Sequence, residues 1–230
     1  MRSIDERAGM KRMIEELRRE ALYTADETGL PGFDDAVMAA MASVHRLQFV
    51  PQGLESAAFD NGPLPIGHGQ TISQPYIVAL MSQLLKVGKT SVVLEVGTGS
   101  GYQAAVLSLL VRQVYSVELV PELASAASVR LHRLGYHNVE VRSGDGYHGW
   151  AEHAPYDGII VTAAAPYIPQ ALIQQLRIGA RLVIPVGDAY GPQRLMVITK
   201  HEGGIDEQVI LPVAFVPLRH STADRSPTLH

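Results

Sequence analysis

The hydrophobic pattern at the start of the chain predicts helices. Between Ser3 and Tyr23, apolar residues recur at steps of three and four, and charged residues fill the opposite face. Asp34 precedes a second apolar segment that reaches Met41, and its carboxylate is suited to cap a helix N-terminus. We therefore expect residues 1–60 to form a helical part.

After Ser91 the pattern changes to short, continuous apolar runs that alternate with amphipathic segments. Strands are predicted at residues 92–96, 113–118, 139–142, 156–162 and 181–185, and helices at residues 102–110, 121–134 and 169–175. Two late segments, residues 193–200 and 205–212, flank a glycine-containing turn and predict an antiparallel pair. Alternating strands and helices predict an α/β fold with a doubly wound, mostly parallel sheet.

A segment rich in glycine and proline separates these two parts. Asn61 to Gln70 are predicted to form a loop, which precedes a helix from about Tyr76 to Leu85. Long loops in compact domains are usually functional or disordered. We expect one domain over residues 1–220 and a flexible tail at 221–230. Within it we distinguish the helical part at 1–60, the loop segment at 61–76 and an α/β core at 90–218.

The amino-acid composition limits the kinds of protein to which this chain can belong. Of the 230 residues, 47% are hydrophobic and 18% are charged, which is typical of a globular chain. The absence of cysteine excludes disulfides, cysteine-ligated zinc and a thiolate nucleophile, and it fits a cytoplasmic protein. The sequence shows neither a secretory signal nor a membrane-spanning segment. The net charge of −4 disfavours nucleic-acid binding, and the histidine spacing predicts no metal site.

The clearest candidate binding site follows the first predicted strand of the α/β core. The sequence Gly97-Thr98-Gly99-Ser100-Gly101 connects a strand that ends at Val96 to a helix that begins at Tyr102. Glycines permit positive φ and let a ligand approach the backbone, and the helix start offers free N–H groups. In doubly wound sheets, nucleotide ligands bind at this edge.

The glycine spacing distinguishes between classes of nucleotide ligand. Glu95 precedes a G-x-G-x-G sequence, whereas dinucleotide-binding folds carry G-x-G-x-x-G and P-loops carry G-x-x-x-x-G-K-[ST]. The observed spacing suits a ligand with a ribose and a sulfonium in its middle. Glu118, after the second strand, can accept both ribose hydroxyls, and Asp145-Gly146, after the third, can meet an adenine edge.

Each of these features also has a purely structural explanation. A lone glycine triplet often forms a tight turn, Glu118 alone fits a solvated strand end, and Asp145-Gly146 alone fits a plain turn. The three features follow three successive strands, whose carboxyl ends meet at one edge of a parallel sheet. Their coincidence favours a shared binding site.

Further segments add a specific combination of motifs. The glycine loop lies within Leu94-Glu95-Val96-Gly97-Thr98-Gly99-Ser100-Gly101-Tyr102-Gln103, and Pro63 to Tyr76 read PLPIGHGQTISQPY. Later come Gly144-Asp145-Gly146, Tyr156 to Pro166, and Phe215-Val216-Pro217-Leu218. Together they resemble the protein-L-isoaspartate O-methyltransferases from about Phe33 to Leu218. The Pro63 to Tyr76 segment is the most specific to that family, whereas many methyltransferases share the glycine loop.

The resemblance implies a class I, Rossmann-like methyltransferase fold with added N-terminal helices. It implies that S-adenosyl-L-methionine donates a methyl group to the α-carboxylate of L-isoaspartyl residues in damaged proteins and peptides, leaving S-adenosyl-L-homocysteine. Ser73 is the expected catalytic residue, although on local sequence alone a helix cap is favoured. The implied substrate-binding residues are Thr71, Ile72 and Ser73, and the implied cofactor-binding residues are Glu95, Gly97, Gly99, Gly101, Glu118, Asp145 and Gly146.

The sequence leaves alternatives open. A methyltransferase acting on a small molecule or RNA would carry the same glycine loop, and a regulatory protein could keep the cofactor fold without turnover. An NAD-dependent oxidoreductase is disfavoured by the glycine spacing. We expect isoaspartyl proteins and peptides as partners, no nucleic acid or membrane, and a cytoplasmic monomer. Whether the tail after Leu218 covers the cofactor stays open at this point.

Overall fold

The N-terminal part is helical in the structure, a computed structural model that describes residues 4–189 and 191–221. Its helices are α1 (Ile4–Tyr23), α2 (Ala25–Thr28) and α3 (Asp35–Ser43), followed by 3-10 turns at Arg46–Gln48 and Glu55–Ala57. Asp34 occupies the N-cap position of α3, although its side chain makes no capping hydrogen bond. Of the flexible tail predicted at 221–230, Ser221 is described and its N–H donates to Asp145, whereas residues 222–230 lie outside the described residues.

The segment predicted to be a loop contains a β-hairpin, which corrects that prediction. Strand β1 (Leu64–Gly67) pairs antiparallel with β2 (Gln70–Ile72). The turn is possible because His68 and Gly69 adopt positive φ angles of 54° and 69°. The side chains of β1 alternate in burial with a period of two residues, as expected of a strand. The prolines and glycines of this segment nevertheless led the sequence to predict a loop. Helix α4 (Pro75–Leu84) follows directly.

The remaining chain forms a seven-stranded sheet with helices packed on it. Its elements are β3 (Val92–Val96), α5 (Tyr102–Ser108), β4 (Gln113–Glu118), α6 (Pro121–Arg133), β5 (Val139–Ser143), β6 (Tyr156–Val161), α7 (Gln170–Gln175), β7 (Leu176–Gly187), β8 (Gln193–His201) and β9 (Gly204–Val213). The strand order is β5-β4-β3-β6-β7-β8-β9, and only the β7–β8 and β8–β9 pairs are antiparallel. The predicted doubly wound, mostly parallel sheet is therefore confirmed.

The order of the strands locates the functional edge of the sheet. After β3 the chain moves outward through β4 and β5, then crosses back to place β6 on the other side of β3. Strand β3 is parallel to both of its neighbours. In open α/β sheets, ligands bind where the strand order reverses, outside the carboxyl ends of the strands. The glycine loop after β3 occupies that place.

Apolar side chains on both faces of β3 anchor the sheet. Val93 packs into a core formed with α1, α3, α4 and α5, whereas Leu94 packs on the other face with residues of β6 and α7. Both side chains are fully buried, and burying one such side chain stabilises a fold by about 1.5–3 kcal/mol. No helix among the described residues is long and apolar enough to cross a membrane. The buried core holds the glycine loop on a rigid base.

Candidate functional site

The glycine loop has a backbone that requires glycine at three places. Gly97, Gly99 and Gly101 have φ angles of 97°, 52° and 85°. L-amino acids with a Cβ adopt these angles at a cost of roughly 1–2 kcal/mol per residue. At Gly97 an added Cβ would also collide with the Thr162 hydroxyl oxygen, and at Gly101 it would lie 3.2 Å from Leu131. The loop therefore approaches its surroundings more closely than side chains would allow.

Thr162 fixes one side of this loop. It follows β6, and its hydroxyl donates to the Gly97 carbonyl at 2.6 Å and lies 3.1 Å from the Val96 carbonyl. Sequence reasoning placed Thr162 at the end of a strand and missed it as a site residue. The only sequence signal is its place in the matched Tyr156 to Pro166 segment.

Glu118 fixes the opposite side of the glycine loop. Its carboxylate is almost fully buried, at 6% exposure. One oxygen accepts the Gly99 N–H at 2.8 Å, and the other accepts the Val120 N–H at 3.0 Å. Each carboxylate oxygen has a second lone pair, so the group can still accept hydrogen bonds from a ligand. Glu118 thus borders the cavity beside the glycine loop and also shapes that loop.

Glu95 lies beneath the glycine loop. Of the predicted cofactor residues, Gly97, Gly99, Glu118 and Gly146 line the cavity beside this loop, whereas Glu95, Gly101 and Asp145 do not. Glu95 is fully buried and accepts a hydrogen bond from the Ser116 hydroxyl, which lies 2.6 Å from the Thr98 hydroxyl. Burial raises the pKa of Glu95 to about 8, although the Ser116 hydrogen bond opposes that shift. Its role is therefore to support the loop from below as a protonated acid.

Asp145 and Gly146 lie at the third strand end, as predicted. Gly146 lines the cleft, and a Cβ there would collide with the Val96 side chain. The Asp145 carboxylate accepts the N–H groups of Tyr147 and Ser221, both at 2.8 Å. Burial would raise the pKa of Asp145, but these two hydrogen bonds and nearby His220 outweigh it and lower the pKa.

The start of the C-terminal tail packs on the segment after β6 and borders the cavity near Gly146. The Ala164 N–H donates to the Val216 carbonyl at 2.8 Å, and the Leu218 N–H donates to the Ala164 carbonyl at 2.7 Å. Two residues on, His220 stacks on the Tyr147 ring with 3.8 Å between ring centroids. The chain from Val216 to Arg219 therefore forms one wall of the cavity, and His220 and Ser221 pack beside it on Tyr147 and Asp145.

These residues enclose a cavity that we call the loop cleft. Its walls include Gly97, Gly99, Glu118, Gly146, Thr162 and Leu218. Polar backbone groups, one carboxylate and apolar side chains converge there, which is typical of a small-molecule binding site. Among the residues that the structure describes, no group of three His, Asp or Glu side chains could hold a metal ion.

A second cavity, which we call the hairpin cleft, lies on the far side of the hairpin. It has a volume of about 400 Å³. Its walls include Pro63, Thr71, Ser73, Ile77, Val213 and Phe215. Thr71 borders both clefts, because the hairpin packs directly on the glycine loop. The Ile66 side chain reaches 3.4 Å from the point where Gly99 would carry a Cβ.

Ser73 lies where the two clefts approach each other. A small junction cavity is lined by Thr71, Ser73, Gly97 and Gly99, among others. No hydrogen bond joins the Ser73 hydroxyl to any residue within 4–189 or 191–221, and the N-cap of α4 is Gln74, without a side-chain capping bond. The cap explanation for Ser73 is therefore wrong, and its hydroxyl is available to a ligand. Ile72 is buried in the core and also borders the junction cavity.

Comparison with known proteins identifies relatives along nearly the whole chain. Residues 11–223 match the family described as protein-L-isoaspartate(D-aspartate) O-methyltransferase. The chain is 56% identical over 212 residues to protein-L-isoaspartate O-methyltransferase 2 of Syntrophobacter fumaroxidans, covering 92% of this chain and 86% of that protein. It is 57% identical over 207 residues to the protein of the same name from a Polaromonas species, covering 90% and 98%.

Solved structures with a similar fold are described by the same family name. The fold is similar to a structure described as a protein-L-isoaspartate O-methyltransferase, with a TM-score of 0.79 and 26% identity, over 90% of this chain and 65% of that one. A Plasmodium falciparum structure, described as a protein of this kind in complex with S-adenosyl-L-homocysteine, gives a TM-score of 0.74 and 27% identity. That similarity covers 92% of this chain and 98% of the other.

Proposed function

The chain belongs to the protein-L-isoaspartate(D-aspartate) O-methyltransferase family, and we propose that its two clefts hold the two reactants. As a member of that family it is an S-adenosyl-L-methionine-dependent enzyme that methylates L-isoaspartyl residues of damaged proteins. We assign the loop cleft to the cofactor and the hairpin cleft to the isoaspartyl peptide. The observation that carries this assignment is the junction cavity, which Ser73 and the glycine loop both border.

The residues of the loop cleft fit an adenosyl ligand with a sulfonium. Positive φ at Gly97 and Gly99 leaves a cradle that a Cβ would fill. Glu118 presents a buried carboxylate at the strand end, suited to two ribose hydroxyls. Gly146 keeps the next wall free of a side chain. The related Plasmodium falciparum structure in complex with S-adenosyl-L-homocysteine supports the same assignment.

The acceptor needs little activation by the protein. A peptide α-carboxyl with a pKa of about 3.5 is already ionised at neutral pH, so no general base is required. When bound, S-adenosyl-L-methionine supplies a methyl group on a sulfonium, which is a ready leaving group. The protein's remaining task is to align the carboxylate oxygen and to exclude water, which can lower a barrier by several kcal/mol.

Ser73 is the residue we assign to alignment. Its unused hydroxyl can donate to one oxygen of the acceptor carboxylate and leave the other directed toward the glycine loop. Thr71, on the shared wall of both clefts, is suited to assist. The hairpin above the glycine loop and the tail at Leu218 limit the access of water. The site thus relies on geometry and needs no titrating catalyst.

We also propose that residues 1–220 act as one domain and as a cytoplasmic monomer without a nucleic-acid partner. The absence of cysteine and the net charge of −4 support the compartment and the lack of nucleic acid. Light scattering on the purified protein tests the monomer, and cell fractionation tests the compartment.

Replacing Ser73 tests the division of roles between the clefts. Ser73→Ala removes one hydrogen bond to a charged acceptor, so turnover should fall by about 10- to 100-fold. Binding of S-adenosyl-L-homocysteine should stay within about twofold of wild type, because the hydroxyl does not shape the loop cleft. Initial rates with an isoaspartyl peptide and calorimetry with S-adenosyl-L-homocysteine measure the two effects. Unchanged turnover would remove Ser73 from the mechanism.

Two matched variants complete this experiment. Glu118→Ala should show the reverse behaviour, weakening S-adenosyl-L-homocysteine binding by at least about tenfold, because the loop loses its Gly99 anchor. Ser128→Ala, on the exposed face of α6, should change neither quantity. If Glu118→Ala binds S-adenosyl-L-homocysteine as wild type does, the assignment of the loop cleft fails.

A further inference from the structure

Arg46 is a charged residue buried in the interior beside the proposed acceptor site. It is 0% exposed and is among the largest fully buried side chains of the described chain. Its Nε donates to the Ala58 carbonyl at 2.9 Å, and its Nη2 donates to the Ser73 carbonyl at 2.8 Å. Its third nitrogen, Nη1, has no hydrogen-bond partner among the described residues.

The positive charge of this guanidinium is not compensated by a carboxylate. Among the side chains that the structure describes, no Asp or Glu forms an ion pair with Arg46. Burial lowers the pKa of Arg46, and the neighbouring Tyr102 opposes that shift. Arginine keeps its charge in proteins. Isolated buried charges are costly and are usually paired. An anion bound near Arg46 would supply the missing compensation.

Arg46 also connects the two sides of the reaction site. Its guanidinium carbon lies 4.5 Å from the ring centre of Tyr102, in cation–π geometry. Tyr102 is the first residue of α5 and directly follows Gly101 of the glycine loop. One side chain therefore contacts the end of the hairpin segment at Ser73 and the helix that carries the cofactor loop.

We propose that Arg46 is a positioning residue that gives the acceptor site its preference for a carboxylate. Its uncompensated charge stabilises the ionised α-carboxyl of the isoaspartyl residue, and its bond to the Ser73 carbonyl fixes the Ser73 backbone. In the low dielectric of the interior this attraction extends over several ångströms with little screening. Arg46 has no contact with the reacting atoms and acts through charge and through Ser73. The inference rests on the proposed role of the hairpin cleft.

Binding measurements with two peptides test this role without catalysis. One peptide contains an L-isoaspartyl residue with a free α-carboxylate, and the other carries the neutral α-carboxamide at the same place. Calorimetry at pH 5, with S-adenosyl-L-homocysteine present, gives the ratio of their dissociation constants. Arg46→Gln keeps a hydrogen-bond donor but loses the charge, so the preference for the carboxylate should fall by at least about tenfold.

Two further variants separate charge from structure. Arg46→Lys keeps a cationic side chain at pH 5, but burial lowers the pKa of a lysine far more readily than it discharges an arginine. Its preference should therefore stay within about threefold of wild type at pH 5 and fall as the pH rises. Arg142→Gln is a matched control, because Arg142 also stacks on an aromatic ring, Trp150 at 4.3 Å, but donates to the Gly149 carbonyl, which borders neither cleft. It should leave the preference unchanged. Thermal melting and S-adenosyl-L-homocysteine affinity confirm that each variant is folded.

The outcomes distinguish this inference from the proposed function. If Arg46→Gln is folded and keeps the wild-type preference, or if Arg46→Lys has lost the preference already at pH 5, Arg46 is only structural and the inference is overturned. If Arg46→Gln does not fold, Arg46→Lys decides alone. If the wild-type enzyme itself does not prefer the carboxylate, the assignment of the hairpin cleft fails instead.

Discussion

At the scale of single residues, two acidic side chains at neighbouring strand ends have different environments. Glu118 closes β4 and borders the loop cleft, whereas Glu95, one residue before the end of β3, is buried beneath the loop. Successive side chains of a strand point to opposite faces of the sheet. A difference of one position along the strand therefore decides whether a carboxylate borders the loop cleft or supports the glycine loop from below. The sequence predicted both carboxylates at the site but could not assign these different roles.

The buried Glu95 should make stability depend on pH. Its folded pKa is raised to about 8 from an ordinary value of 4.5, mainly by burial. The folded state therefore keeps a proton that the unfolded chain releases. The stabilisation is complete below pH 4.5 and is lost as the pH rises to about 8, by at most about 1.4 kcal/mol per pH unit.

Replacing Glu95 by its neutral isostere removes this dependence. Between pH 5 and 8, denaturant unfolding should show that wild type loses stability relative to Glu95→Gln, which still accepts the Ser116 hydrogen bond. Glu122→Gln, exposed in the first turn of α6, serves as the control and should follow wild type. If the wild-type and Glu95→Gln curves run parallel through this range, Glu95 is not a buried protonated acid.

At the scale of elements, the strand–loop–helix unit was predictable because its signals are local. The continuous apolar run of β3, the three glycines and the start of α5 are adjacent in the sequence. The hairpin was less predictable, because the pleated alternation of β1 is only four residues long and includes Pro65. Strand β7 was predicted too short, because residues 177–180 are not buried and lack a continuous apolar run, although Leu176 already pairs with Tyr156 of β6.

The glycine loop gives a direct test at this scale. Gly97→Ala places a Cβ at a φ of 97° and against the Thr162 hydroxyl. The loop should shift, so binding of S-adenosyl-L-homocysteine measured by calorimetry should weaken by at least about tenfold. Gly88→Ala is the matched control, because no atom lies within 4 Å of its added Cβ. Wild-type affinity in Gly97→Ala would show that the loop does not cradle the cofactor.

At the scale of the whole molecule, the site depends on contacts between distant parts of the chain. The tail segment at Leu218 joins Ala164 beside β6, and Arg46 reaches both Ser73 and Tyr102. No local pattern predicts such pairings, because each depends on how the completed sheet brings separate segments together. The motif match placed Phe215 to Leu218 in the family but not over the cleft, and it gave no role to Arg46.

In the proposed assignment, the arrangement of the whole fold explains why two reactants can meet in one chain. The switch in strand order beside β3 creates the loop cleft, and the hairpin adds the second cleft above it. Under the same assignment, the loop cleft holds the cofactor and is general to the fold, whereas the hairpin cleft belongs to the segment most specific to this family. The identity of the acceptor therefore depends on the hairpin more than on the glycine loop.

Methyl transfer to a matched pair of peptides tests the central claim most directly. The two peptides differ only in whether one aspartyl residue is linked normally or as L-isoaspartate, and both are incubated with the enzyme and labelled S-adenosyl-L-methionine. We predict that label enters only the isoaspartyl peptide, as a base-labile methyl ester, because only that peptide presents a free α-carboxylate beside its chain. Equal labelling of the two peptides, or labelling of neither, would contradict the account.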